Sequence, residues 1–134
     1  MGIKLKLKKL LFFNKKNNIM EKILSKKTQS TPEIVYNSSN KTINITGRSL
    51  MFDPQSFWSL KINVIKNISL RERITLNINF EYINTLSLRC LSRLIQINNI
   101  DINWICDEYD DDMIEIGEML GINTKQKINF LIEN

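Results

Sequence analysis

Between residues 76 and 82 the chain alternates strictly. Leu76, Ile78, Phe80 and Tyr82 fall on one face, and Asn77, Asn79 and Glu81 fall on the other. A period of two is that of a strand with one buried side. The period then changes: Leu86, Leu88, Leu91, Leu94 and Ile95 recur at helical spacing. Asn84 and Thr85, both helix-capping residue types, stand just before them. The switch predicts a strand–turn–helix junction that presents the Thr85 hydroxyl where the helix begins.

The same two periods divide the rest of the chain. Residues 33–36 and 42–46 read as short strands joined through the polar turn 37–40, with Gly47 closing the second. Asp53 and Pro54 start a helix, Asp as cap and Pro at the first helical position. Its apolar stripe is Phe57, Leu60, Val64 and Ile68, widened by Trp58, Ile62 and Ile65. Residues 73–82 form the central strand, and the helix from Thr85 runs to about Ile97. Residues 100–106 are another strand. Met113, Ile116, Met119 and Leu120 mark an amphipathic helix ended by Gly121. Residues 127–132 give a last strand with Ile128, Phe130 and Ile132 inward.

This order, ββαβαβαβ, predicts an α/β single domain. Its sheet is mixed and mostly parallel, with an N-terminal hairpin and right-handed crossovers. In a doubly wound sheet the strands are apolar on both faces. Here Asn44, Asn77, Asn79, Asn103 and Asn129 make a polar second face. The helices are therefore expected packed mainly on one face.

A length of 134 residues suits one domain with its own core. The chain has no Ala and no His, and without His the commonest general base and metal ligand is missing. Residues 1–30 hold nine Lys and one Glu, whereas residues 31–134 hold ten basic and thirteen acidic side chains. Only the leader is basic. The folded body lacks the basic, aromatic-interleaved surface of a nucleic-acid binder, so no nucleic-acid partner is expected. The longest apolar run of the leader, residues 10–13, is too short for a signal core or a membrane span. Residues 1–30 read as a basic, disordered leader, with Met20 an alternative start, and residues 31–134 as the domain. Cys90 and Cys106 sit in apolar settings and read as buried, reduced thiols, which points to the cytoplasm.

Candidate chemistry lies beyond the carboxyl ends of the strands. A phosphate on Thr85 would sit at a helix N-terminus, where free amides and the dipole favour an anion; the alternative is that Thr85 only caps. The run Asp107, Glu108, Tyr109, Asp110, Asp111, Asp112 offers an acidic surface. As an alternative, Asp107, Asp110 and Asp111 could hold Mg²⁺ in a small enzyme. No glycine-rich phosphate loop accompanies them.

Four segments then carry a resemblance: Thr-Pro-Glu-Ile at 31–34, Ile-Thr-Gly-Arg-Ser at 45–49, Phe-Glu-Tyr-Ile-Asn-Thr at 80–85, and the acidic run at 103–118 with its trailing Gly117 and Glu118. In this order they resemble the SiaC-type family of bacterial regulatory phosphoproteins, which are small STAS-like domains related in fold to anti-anti-sigma factors. The resemblance covers about residues 30–132. It implies a STAS-like regulatory domain at 31–134 that is not an enzyme and has no cofactor, no catalytic residue and no metal site. It further implies reversible phosphorylation of Thr85, by a protein kinase and a PP2C-like phosphatase, that controls docking to an effector such as a diguanylate cyclase. Cyclic di-GMP and biofilm regulation would follow from that partner. The docking residues implied along the rim are Glu81, Tyr82, Asn84, Ser87, Asp107, Glu108, Asp110 and Asp111. Leu86 and Leu88 depart from the family's small hydroxyl residues beside the phosphoacceptor. A constitutive, unphosphorylated binding module is the remaining alternative.

Overall fold

Strand alternation sorts the residues to two sides of one sheet. Ile43 and Ile45 of β4 (Thr42–Ser49), Leu76, Ile78 and Phe80 of β5 (Ile74–Ile83), and Ile102, Trp104 and Cys106 of β6 (Ile100–Asp107) are all buried. Their polar neighbours face the other way. Among the described residues three helices lie between the strands: α1 (Pro54–Arg71), α2 (Thr85–Leu94) and α3 (Asp111–Thr124). The remaining strands are β1 (Leu11–Asn14), β2 (Ile19–Ser25), β3 (Glu33–Asn37) and β7 (Ile128–Glu133). The structure is a computed structural model and describes residues 11–14 and 19–133.

The strands lie in sequence order across one seven-stranded sheet. β1 to β4 meander antiparallel, and β4 to β7 run parallel. Successive parallel crossovers that move in one direction and keep the usual right hand put the three described helices on the same face. The mixed α/β sheet with helices on one face is therefore as expected. The antiparallel part is longer than the single hairpin that the sequence suggested.

The core lies between that face and the helices. Trp58 of α1, Phe80 and Trp104 form a row of tilted and edge-on rings, each step 6.5 Å between centroids. On the open face Asn44, Asn77 and Asn103 stand opposite one another across β4, β5 and β6. Asn103 Nδ2 donates to Asn77 Oδ1 and Asn77 Nδ2 to Asn44 Oδ1, each at 2.9 Å. Asn77, in the middle, accepts from one neighbour and donates to the other, which links the three amides across the open face.

Several local expectations need correction. The sheet already includes residues upstream of the expected domain start at residue 31. β2 pairs with β3, Lys22 opposite Tyr36 and Ile23 opposite Val35, and buried Ser25 donates to the Pro32 carbonyl at 2.8 Å. Lys22 within the strand and Lys26 and Lys27 just after it hide its short apolar pattern. Of the expected leader, residues 1–10 and 15–18 lie outside the described residues. Gly47 does not end β4: at φ +106° it sits where the β4–β5 register shifts, and the strand continues to Ser49. α1 buries Trp58, Ile65 and Ile68 and leaves Leu60 exposed, so its buried stripe is turned from the expected one. α3 passes Gly121 and ends at Lys125, a left-handed cap with φ 57°.

Candidate phosphoacceptor and docking rim

The junction between β5 and α2 is built by three short side chains. Asn84 is the N-cap: its Oδ1 accepts the Ser87 amide at 2.9 Å, and its Nδ2 donates to the Met51 carbonyl at 3.0 Å. Thr85 is thus not the cap but the first helical residue. It is exposed, and its hydroxyl makes no hydrogen bond among the described residues. The capping duty that would have explained Thr85 structurally belongs to its neighbour.

Ser87 faces the opposite way and is fully buried. Ser49 Oγ donates to Ser87 Oγ at 2.7 Å, Ser87 Oγ donates to the Ser49 carbonyl at 3.1 Å, and Trp58 Nε1 donates to Ser49 Oγ at 3.1 Å. Ser87, expected along the docking rim, thus has no exposed surface in this structure. The residue lies under the helix, and its hydroxyl is spent on the core.

From Thr85 a shallow apolar groove of about 220 Å³ runs between α2 and α3, lined by Leu88, Arg89, Ile116, Met119 and Leu120 among others. It adjoins a second cleft of about 390 Å³ through Ile116 and Met119. That cleft brings Glu81 and Tyr82 from the end of β5 to Asp110 and Asp112 at the start of α3. Three of the expected rim residues, Glu81, Tyr82 and Asp110, do share one wall.

Their states differ from a plain acidic rim. The Glu81 carboxylate lies 3.2 Å from both Lys27 Nζ and Arg48 Nε. Hydrogen bonds from Arg48 and then Lys27 hold its pKa below the usual glutamate value. The Arg48 guanidinium also stacks 5.2 Å from the ring of Tyr82, which stays exposed. Asp110 caps α3, its Oδ1 accepting the Met113 amide at 3.1 Å. Asp111 is exposed in the first turn of that helix, where a carboxylate suits the dipole.

Asp107 and Glu108 are exposed but turn towards β7. Asp107 Oδ1 accepts the Tyr109 amide at 2.8 Å, and the Glu108 amide donates to the Glu133 carbonyl at 2.9 Å. They sit outside both clefts. With Asp107 tied to a turn and Asp110 to a cap, the set suggested for Mg²⁺ does not converge. Among the described residues no three carboxylate or thiol groups are placed to share a metal ion.

Both thiols are free and buried. Burial, with Asp110, Asp107 and Glu133 nearby, pushes the Cys106 thiol up and makes it a poor nucleophile. Sequence reasoning missed the groove and Arg89. The i to i+4 spacing of Thr85 and Arg89 was the available signal. It also missed Lys27 and Arg48 as the partners of Glu81, a contact across three strands that no local pattern encodes.

A model of the SiaC family regulatory phosphoprotein matches residues 25–133. No curated protein matches the sequence. Among solved structures, apo-SiaC from Pseudomonas aeruginosa is similar at 18% identity with a TM-score of 0.67, covering 84% of this chain and 98% of that one. A chain in the crystal structure of diguanylate cyclase SiaD in complex with its activator SiaC, also from Pseudomonas aeruginosa, is similar at 16% identity with a TM-score of 0.69. It covers 80% of this chain and 96% of that one. At these identities the likeness is one of fold.

Proposed function

The chain belongs to the SiaC family of regulatory phosphoproteins, and on that premise we propose that it is a non-catalytic switch set by reversible phosphorylation of Thr85. A protein kinase adds the phosphate, a PP2C-like phosphatase removes it, and the unphosphorylated form docks on a cytoplasmic effector of the diguanylate cyclase type. The observation that carries this reading is the Thr85 hydroxyl: exposed, unengaged, and at the mouth of the apolar α2–α3 groove.

The physical logic runs from that position. An effector that fills the groove must desolvate its mouth beside Leu88 and Met119. A phosphate there adds nearly two negative charges and three strong acceptors. The first-turn amides of α2 and the Arg89 guanidinium one turn on would hold it in place. An apolar mouth then becomes a hydrated anionic one, and groove occupancy is lost. The SiaC–SiaD complex named above supports a cyclase as the partner class, because it pairs a protein of this fold with such an enzyme.

The test is a titration of both forms of this protein against a diguanylate cyclase. The unphosphorylated form is expected to bind, and the phosphorylated form to bind at least about tenfold more weakly, the usual span of a charge switch of 1–3 kcal/mol. Equal binding by both forms would make the protein a constitutive module.

A further inference from the structure

β7 is the last strand of the sheet, and among the described residues only β6 pairs with it. Its outer edge is apolar: Phe130, Leu131 and Ile132 are 37%, 47% and 46% exposed, and Ile122 of the adjoining α3 is 75% exposed. Long apolar edges of this kind pair with another strand unless charge, proline or a bulge blocks them. β7 carries none of these between Ile128 and Ile132.

The edge is also self-complementary. The Glu133 carbonyl accepts from the Glu108 amide of the β6 side, so by alternation Asn129, Leu131 and Glu133 turn their backbone groups inward. Ile128, Phe130 and Ile132 then turn theirs to the free edge. An antiparallel copy centred on Phe130 would oppose Phe130 to Phe130 and Ile128 to Ile132. Every outward amide and carbonyl would meet a partner, about six hydrogen bonds in all. The same register sets Lys127 against Glu133 of the second copy, twice by symmetry. Both side chains are exposed, and neither has an ion-pair partner among the described residues.

We propose that β7 is a homodimer interface, in which two copies of this chain pair antiparallel about Phe130 and extend the sheet across the two-fold axis. The Ile128, Phe130 and Ile132 side chains lie on the helix side of β7, opposite Ile102, Trp104 and Cys106. Ile128 and Phe130 already form one wall of a shallow cleft against Gly117, Gly121 and Ile122 of α3, beside the proposed interface. A two-fold interface needs this kind of self-complementary patch. The end charges, Lys127 against Glu133 twice over in the two-fold register, select a second copy over an unrelated strand. The interface is on the opposite flank of α3 from the Thr85 groove and leaves that groove open.

Sedimentation velocity on the full chain, over a wide concentration range, tests this. The native protein is expected to sediment as a dimer at high concentration. Lys127→Glu and Glu133→Lys each set like charges opposite twice, so each is expected to weaken association about tenfold. The double exchange restores the pairing and should recover the dimer. Circular dichroism confirms that these exposed changes leave the fold intact. A monomer at every concentration, a dimer indifferent to the single reversals, or a double variant no better than the singles would overturn the proposal.

Discussion

Ser49 and Ser87 are joined by two hydrogen bonds, hydroxyl to hydroxyl at 2.7 Å and hydroxyl to carbonyl at 3.1 Å, both buried. They tie the last residue of β4 to the first turn of α2, directly beneath Thr85. Removing the Ser87 hydroxyl leaves the buried Ser49 hydroxyl proton without its acceptor, while Trp58 Nε1 still donates to Ser49 Oγ and the Asn84 amide to the Ser49 carbonyl. Ser87→Ala is therefore expected to destabilise the fold by about 1–3 kcal/mol. Urea unfolding of the variant against the native chain measures it, and a cost near zero would mean that the network does not hold the junction.

Gly117 of α3 lies against the core with no room for a methyl group. A Cβ there would stand 2.7 Å from Trp104 Cδ1 and Nε1 and 2.8 Å from Phe130 Cε1. Trp104 cannot retreat freely, because its Nε1 donates to the Met113 carbonyl at 2.9 Å. Gly117→Ala should cost about 1–3 kcal/mol through overpacking, despite the better helix propensity of Ala. Thermal denaturation reads the sign: a stabilised variant would show that Phe130 yields at the sheet edge.

Tyr36 supplies a pH test. Burial first, and then its hydrogen bond to the Glu72 carboxylate, push its pKa up to about 12. The unfolded chain ionises this phenol near 10. Below that pH the folded protein keeps the full benefit of the protonated tyrosine. As pH rises from about 10 to 12 the unfolded state loses its proton first, and stability falls. Tyr36→Phe should flatten this alkaline decline when denaturant midpoints are followed against pH. An unchanged decline would assign it to other groups.

Met119 separates the docking surface from the fold. It is 52% exposed and lines both clefts beside Thr85. Met119→Lys is expected to change stability by no more than about 0.5 kcal/mol, as exposed substitutions do. Effector binding should weaken about tenfold or more, because the change buries a charge in the groove. Binding by calorimetry alongside denaturation distinguishes the two effects.

Period and punctuation made most of the architecture legible. The alternation through Leu76, Ile78 and Phe80 set the buried face of β5, and the change of period after Tyr82 located α2. The asparagines of the open face marked a sheet covered on one side. What stayed hidden depends on contacts between distant residues. Nothing local distinguishes Ser87, locked to Ser49 thirty-eight residues away, from Thr85 two positions earlier; only helix phase does. Gly47 read as a strand end, because a bulge and a stop use the same residue. β2 was obscured because Lys22 within it and Lys26 and Lys27 just after it read as part of a basic tail.

The proposed switch depends on a removable phosphate on Thr85. The most direct measurement is the intact mass of the protein purified from its own host, before and after treatment with a PP2C-type phosphatase, with peptide mapping of any modification. The account predicts a species heavier by one phosphoryl group, mapped to Thr85, lost on treatment and absent from Thr85→Ala. An unmodified mass under every growth condition, or a phosphate that persists in Thr85→Ala, would contradict it.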